Sequence, residues 1–218
     1  MKTFQLSFLL RMLAVAGLAY APGARAQHVH GTTPAPQRTE PARDYTAADV
    51  AFMQGMIPHH AQALDMTALV DSRTQSHGLR MLAGRIEVSQ RDEIQRMQDW
   101  LRRRGQTVPE VTAGHAGHGM HHLMPGMLSQ EEMADLAAAS GTAFERKFLT
   151  YMIRHHEGAL VMVDTLFNTP GAAQSTEVFQ FASDIDADQR ADIRRMRAML
   201  ATLPADPSVP APNAPRHH

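Results

Sequence analysis

Two stretches of the chain set adjacent histidines into the same phrase. One is Phe52-Met53-Gln54-Gly55-Met56-Ile57-Pro58-His59-His60-Ala61-Gln62-Ala63-Leu64-Asp65-Met66. The other is Phe148-Leu149-Thr150-Tyr151-Met152-Ile153-Arg154-His155-His156-Glu157-Gly158-Ala159-Leu160-Val161-Met162. Phe, Met, Ile, the His pair, Ala, Leu and the final Met recur at matching offsets. An apolar core needs only the hydrophobic part of that pattern. The repeated histidines point to a metal site assembled from two similar halves, with Met53, Met56, His59, His60, Met152, His155 and His156 as candidate ligands. Adjacent residues on a helix diverge by about 100°. Within each pair, one imidazole can therefore face the bundle centre while the other reaches a neighbouring helix.

A second concentration lies between residues 114 and 127: Gly114-His115-Ala-Gly-His118-Gly-Met120-His121-His122-Leu-Met124-Pro-Gly-Met127. Its His115, His118, Met120, His121, His122, Met124 and Met127 can wrap an ion without a preformed cage. The alternative is a solvated linker that is merely rich in histidine. Imidazole and thioether in the absence of any cysteine favour a soft or borderline ion. Copper leads, as Cu(I) ahead of Cu(II), and silver shares the soft ligands. Zinc fits histidine and carboxylate but leaves the methionines unexplained. Glu93 and Asp192 are placed to orient histidines from behind, or else are ordinary solvated positions. Methionine at helical spacing usually fills core gaps, and Met66, Met81, Met162 and Met199 are read that way. Duplication also copies purely structural residues, so a structural role for the His-His pairs remains the competing interpretation.

These residues need elements that bring them together. Thr46-Ala-Ala-Asp49 is a capping-box pattern that opens a helix extending to about Ser72, with Pro58 inside it and a kink expected there. A second helix spans about His77 to Arg104, and Gly105 suits its C-terminal cap. Ser129-Gln-Glu-Glu132 opens a short third piece that breaks near Ser140-Gly141 and resumes at Thr142 as far as Phe167. Asn168-Thr-Pro-Gly171 is a turn, and the last helix covers about Thr176 to Leu203. The likeness between the halves extends into the second and fourth helices, where Gln90-Arg91 and Ile94 match Gln189-Arg190 and Ile193. The expected fold is an all-α, ferritin-like four-helix bundle of two repeated hairpins joined by the His/Met-rich crossover. The bundle occupies residues 45–204, between a flexible linker at 27–44 and a Pro-rich tail at 205–218.

The beginning of the chain reads differently. Lys2 and Arg11 precede the apolar run Met12 to Tyr20, and Ala24-Arg25-Ala26 is a small-x-small cleavage pattern. This is the pattern of a secretory signal peptide cut after Ala26, and no later stretch is apolar enough to span a bilayer. Its removal takes three of the 21 basic residues against 22 acidic ones and moves the formal charge from −1 to about −4,. Nucleic acid is thereby an unsuitable partner. All 13 histidines lie beyond the leader, as do all methionines except Met1 and Met12. His28, His30, His217 and His218 are weaker candidates near the two ends.

At Met56-Ile-Pro-His59-His60, at Met152-Ile-Arg-His155-His156-Glu157-Gly158-Ala159 and at Met124-Pro-Gly-Met127, the chain resembles the bacterial family catalogued as domain of unknown function 305. The resemblance covers about residues 45 to 203. It implies a ferritin-like helical bundle, usually exported, with members linked to copper binding and copper tolerance. Carried over by position, the implied ligands are Met56, His59, His60, Met152, His155 and His156. The expected function is a periplasmic or secreted copper-binding protein that sequesters or transfers the metal. A copper exporter or another periplasmic metal protein is the kind of partner such a chain would serve, and self-assembly is left open.

Two other classes stay in view. One is a metal-dependent oxidase of the ferritin-like class, for instance one converting Cu(I) to Cu(II) or handling peroxide, whose di-iron form would need Glu-x-x-His on two helices. The corresponding positions are Gln90-x-x-Glu93 and Gln189-x-x-Asp192. A structural or adaptor bundle would use the histidines as core residues only. There is no cysteine nucleophile, no Gly-x-Ser-x-Gly elbow and no phosphate-cradling loop.

Overall fold

The computed structural model of the protein describes residues 44–110 and 123–204, and all regular structure among them is helical. The helices are α1 (Ala47–Thr67), α2 (Val70–Arg73), α3 (His77–Arg103), α4 (Gln130–Ala138), α5 (Gly141–Phe167) and α6 (Thr176–Thr202). The leader, the 27–43 part of the linker, His115 to His122 and the tail from residue 205 lie outside the described residues.

Local chemistry sets the starts and stops. Thr46 and Asp49 form a reciprocal capping box at α1, and Ser129 and Glu132 do the same at α4. Ser76 and Ser175 cap α3 and α6 through single side-chain acceptors. Each supplies partners for amides that have none inside the helix. Gly105 follows α3 with φ +62, a left-handed conformation that costs glycine little,.

The first helix departs from its expected extent. It runs on through Pro58 but stops at Thr67 rather than near Ser72. There the Leu69 amide pairs with Met66 O. This tighter i→i+3 bond ends the regular ladder before the chain resumes as the four-residue α2.

Helix directions follow from who meets whom. Asp49 at the start of α1 accepts the amide of Ala173, beyond the end of α5, at 2.7 Å. Thr74, beyond α2, meets Glu145 near the start of α5. So α1 and α5 are antiparallel. Arg103 meets Glu177 at 2.5 Å and Arg85 meets Asp192 at 2.5 Å, so α3 and α6 are antiparallel too. Since α3 also runs opposite to α1, α3 and α5 point the same way. The described residues that lead into α4 run along α1, with Leu128 at Gln62 and Pro125 at His59.

The core is two apolar clusters. One gathers Phe52, Met56, Ile57, Met97, Trp100, Leu166 and Phe181. The other gathers Met66, Leu82, Ile86, Phe144, Phe148, Met152 and Met196. Along all four long helices the sequence passes from one cluster to the other through a stretch holding buried polar residues. These are His59, His60, Gln62, Gln90, Glu93, His155, His156, Gln189 and Asp192.

Candidate metal centre

All four paired histidines are fully buried, each at 0 % exposure. His59 and His155 stack where α1 crosses α5, with ring centroids 3.9 Å apart and planes 38° apart. Their chain neighbours diverge, as helical geometry requires. The His59 and His60 centroids are 6.2 Å apart, and those of His155 and His156 are 6.3 Å apart.

Each ring has a distinct set of neighbours. His59 Nε2 lies 3.0 Å from Pro125 O. A carbonyl only accepts, so Nε2 carries the proton and donates, and in the neutral ring Nδ1 holds the lone pair. His60 Nε2 lies 2.5 Å from Glu93 Oε2 on α3. Donation to that carboxylate again leaves Nδ1 facing away. His156 Nε2 is 3.8 Å from Asp192 Oδ2 on α6, which is too far for a hydrogen bond. Asp192 is one methylene shorter than Glu93, and it is also drawn to Arg85 at 2.5 Å and Arg195 at 3.0 Å.

Burial decides the charge of His59, His155 and His156. It lowers the His59 pKa to about 3, helped by the proximity of His60. It pushes His155 well below the ordinary histidine value, with His59 and His156 adding to the effect. It also lowers His156, although the Asp192 carboxylate opposes the shift. Burial raises Asp192 in turn, but His156, Arg85 and Arg195 outweigh it, and its pKa lies below the usual carboxylate value. Neutral imidazole is the form that ligates a metal.

The layer is short of hydrogen bonds. Nδ1 of His59, His60, His155 and His156, and Nε2 of His155 and His156, are buried without a partner. Gln90 and Gln189 add an unpartnered Oε1 each. A buried polar atom left unsatisfied costs about 1–3 kcal/mol. Such a set suits a group that takes imidazole lone pairs, and a soft or borderline metal ion is one. Among the described residues, no three His, Asp or Glu side chains converge at metal-ligand geometry.

The other sequence candidates separate. Met56 and Met152 are both fully buried but fall in different apolar clusters. Met53 is buried and lines a cavity of about 250 Å³ with Trp100, Arg96 and Phe181. Met127 is buried, and Met124 is half-buried where the crossover meets α1. Glu93 and Asp192 both face histidines, at the unequal distances given above. His115, His118, Met120, His121 and His122 lie outside the described residues. Met81 is 64 % exposed, and so is not the core filler its helical spacing suggests. It sits on the outer face of α3.

Three residues around the histidines escaped the sequence reading. Pro125 supplies the carbonyl for His59. Gln62 holds both backbone groups of Leu128, donating to its oxygen at 2.9 Å and accepting from its amide at 2.7 Å. Gly158 lets the crossover touch α5, since a Cβ there would sit 1.9 Å from Pro125 O. One signal was legible: glycine stands at 158 where the first phrase has Gln62.

Known proteins resemble this chain in sequence and fold. Residues 49–200 match the model of the family described as domain of unknown function, DUF305. The structure resembles the DUF305 fragment from Deinococcus radiodurans with TM-score 0.62 and 36 % identity, over 73 % of this chain and 99 % of that one. It resembles Cu(II)-bound CopM with TM-score 0.56 and 30 % identity, over 70 % of this chain and 95 % of that one. Cu(I)-bound CopM, at TM-score 0.55 and 27 % identity, covers the same shares. An uncharacterized protein of Acanthamoeba polyphaga mimivirus is 38 % identical over 53 residues, which span 24 % of this chain and 35 % of that protein. With the family model matched across both His-His helices and the hairpin partners of each, this chain belongs to the DUF305 family.

Proposed function

We propose that the protein binds copper outside the cytoplasm and sequesters it or hands it on, without making a covalent change to a substrate. The observation that carries this is the buried layer of four histidines, three of them (His59, His155 and His156) held neutral by burial, with six ring nitrogens lacking partners. Glu93 and the Pro125 carbonyl hold two of the rings from behind, an arrangement that orients ligating imidazoles elsewhere. The methionines favour Cu(I) over Cu(II), with silver as a chemical mimic. Structures of CopM with Cu(I), Cu(II) and silver bound support the reading. The leader-like residues 1–26 support export, and no helix among the described residues is long and apolar enough to cross a membrane.

Titration of the purified protein with Cu(I) and Cu(II), followed by native mass spectrometry, tests the reading. The expected result is retention of copper that falls in the variants His59→Gln/His155→Gln and His60→Gln/His156→Gln. Glutamine keeps a polar side chain there but offers no imidazole. No binding at micromolar copper, or binding indifferent to both double variants, overturns the proposal. Oxygen consumption with Cu(I) or Fe(II) separates storage from oxidase chemistry.

A further inference from the structure

Met66 and Met162 hold the same offset in the two His-His phrases, yet they are placed differently. Met66 is fully buried within an apolar cluster, whereas Met162 is half-buried against the opposite helix. Met162 lies against Gly55. A Cβ built there would lie 3.3 Å from Met162 Cε and 3.4 Å from Met124 Sδ. The missing side chain on α1 thus leaves a slot that two methionines enter, one from α5 and one from the crossover. The second phrase has Tyr151 at the matching position, so the sequence offers this slot in one half only.

Met124 is not at the end of a loose tether. The carbonyl of the next residue, Pro125, accepts a hydrogen bond from His59 Nε2 at 3.0 Å. Gly126 follows with φ +78, pressed so close to α5 that a Cβ would fall 2.4 Å from Arg154 O. Leu128 is gripped on both backbone groups by Gln62. These contacts hold the crossover in register along α1 and keep the Met124 sulfur over Gly55.

We propose that Met124 and Met162 form a thioether site over Gly55 for a monovalent soft cation, Cu(I) or Ag(I). Thioethers are neutral, polarisable donors that select Cu(I) over harder ions. Zn(II) and Cu(II) gain little from them. Thioethers do not titrate, so this site keeps its donors in acid, where an exposed imidazole takes up a proton. It is distinct from the buried imidazole layer and lies half-exposed beside it. The inference rests on the reading that the chain binds copper, and it adds Met162 as a ligand.

The test is Ag(I) binding to the full chain at pH 5.0 in chloride-free buffer, read by native mass spectrometry and by competition. The parent is compared with Met124→Leu, Met162→Leu and the double variant. Leucine conserves volume in such positions, and circular dichroism checks that each variant stays folded. The double variant is expected to hold one silver ion fewer, and each single variant to lose at least tenfold in affinity for that ion, with Zn(II) binding unchanged. Silver stoichiometry and affinity in the double variant equal to the parent's overturn the thioether site. If the parent binds neither Ag(I) nor Cu(I) at any pH, the copper reading falls as well. If binding responds to the histidine variants but not to the methionine variants, the thioether site alone fails.

Discussion

Glu93 on α3 holds His60 on α1 at 2.5 Å, while Asp192 on α6 stands 3.8 Å from His156 on α5. The two hairpins thus present similar dyads with one closed and one open. The closed one fixes a ring whose other nitrogen has no partner. Glu93→Ala removes that hold from inside the bundle. The expected loss is about 1–3 kcal/mol of stability, as for other buried hydrogen-bonded groups. Copper affinity is expected to fall roughly 10–100-fold if His60 is a ligand. Glu93→Gln should keep much of the stability. Urea unfolding and copper competition on the same samples check both.

Acid should unfold the metal-free protein through its histidines. His59, His155 and His156 have folded pKa values below the ordinary 6.5, so above that value they are neutral in both states. As pH falls below about 6.5, the unfolded chain takes up protons that the folded one refuses. Stability is therefore full above that pH and is lost as pH descends toward the folded values, near 3 for His59. The slope should approach about 1.4 kcal/mol per pH unit for each such histidine. Asp192, also lowered, extends the loss at the acid end, because its stabilisation fades once pH drops below the unfolded carboxylate value. Urea unfolding at pH 7.5, 6.0 and 5.0 gives the slope. A flat profile would show that the rings are not buried neutral.

Two glycines where the crossover touches α5 should not tolerate alanine. A methyl at Gly158 would lie 1.9 Å from Pro125 O, and one at Gly126 would lie 2.4 Å from Arg154 O, in both cases against backbone. Gly158→Ala is expected to cost about 1–3 kcal/mol or more by forcing the crossover away. It should also speed exchange of the Leu128 amide held by Gln62. Gly84 is the control, being exposed within α3 with nothing near its would-be methyl. Gly84→Ala should stabilise by roughly 0.5–1 kcal/mol. Thermal melts of the two variants should move in opposite directions.

Ala173 sits at φ +53 in the turn before α6, a conformation costing an L-residue roughly 1–2 kcal/mol,. Asp49 helps hold it there by accepting its amide at 2.7 Å, while the other carboxylate oxygen caps Thr46. Ala173→Gly is expected to raise the melting temperature. Asp49→Ala should lower it, because it deprives a buried amide and a helix cap together, about 1–3 kcal/mol for the amide alone. Differential scanning calorimetry on both variants checks the pair of signs.

Much of the fold was legible in the chain. Capping boxes at Thr46 and Ser129, the turn at Asn168 to Gly171 and glycine at 105 mark element ends through interactions only three or four residues long. Short-range chemistry of that kind is written in local sequence. The halves announced themselves through repeated histidines, and helical geometry required each pair to diverge. The missing cysteines and abundant methionines pointed toward a soft or borderline ion before any contact was known.

Tertiary structure decided the rest, because it depends on which residues meet across helices. Antiparallel packing of α1 on α5 stacked His59 on His155 and sent Met56 and Met152 into separate clusters. The return of the crossover along α1 made a proline carbonyl the partner of His59. It also turned Gly158 and Gln62, unlike residues at one repeat position, into a contact and a clamp. Met66 and Met162 are indistinguishable by offset, and Met81 has the spacing of a core residue. Burial separates them, and burial is a property of the assembled bundle rather than of any one helix. The sequence by itself settled which side chains were available, and the packing settled which were enclosed, neutral and without partners.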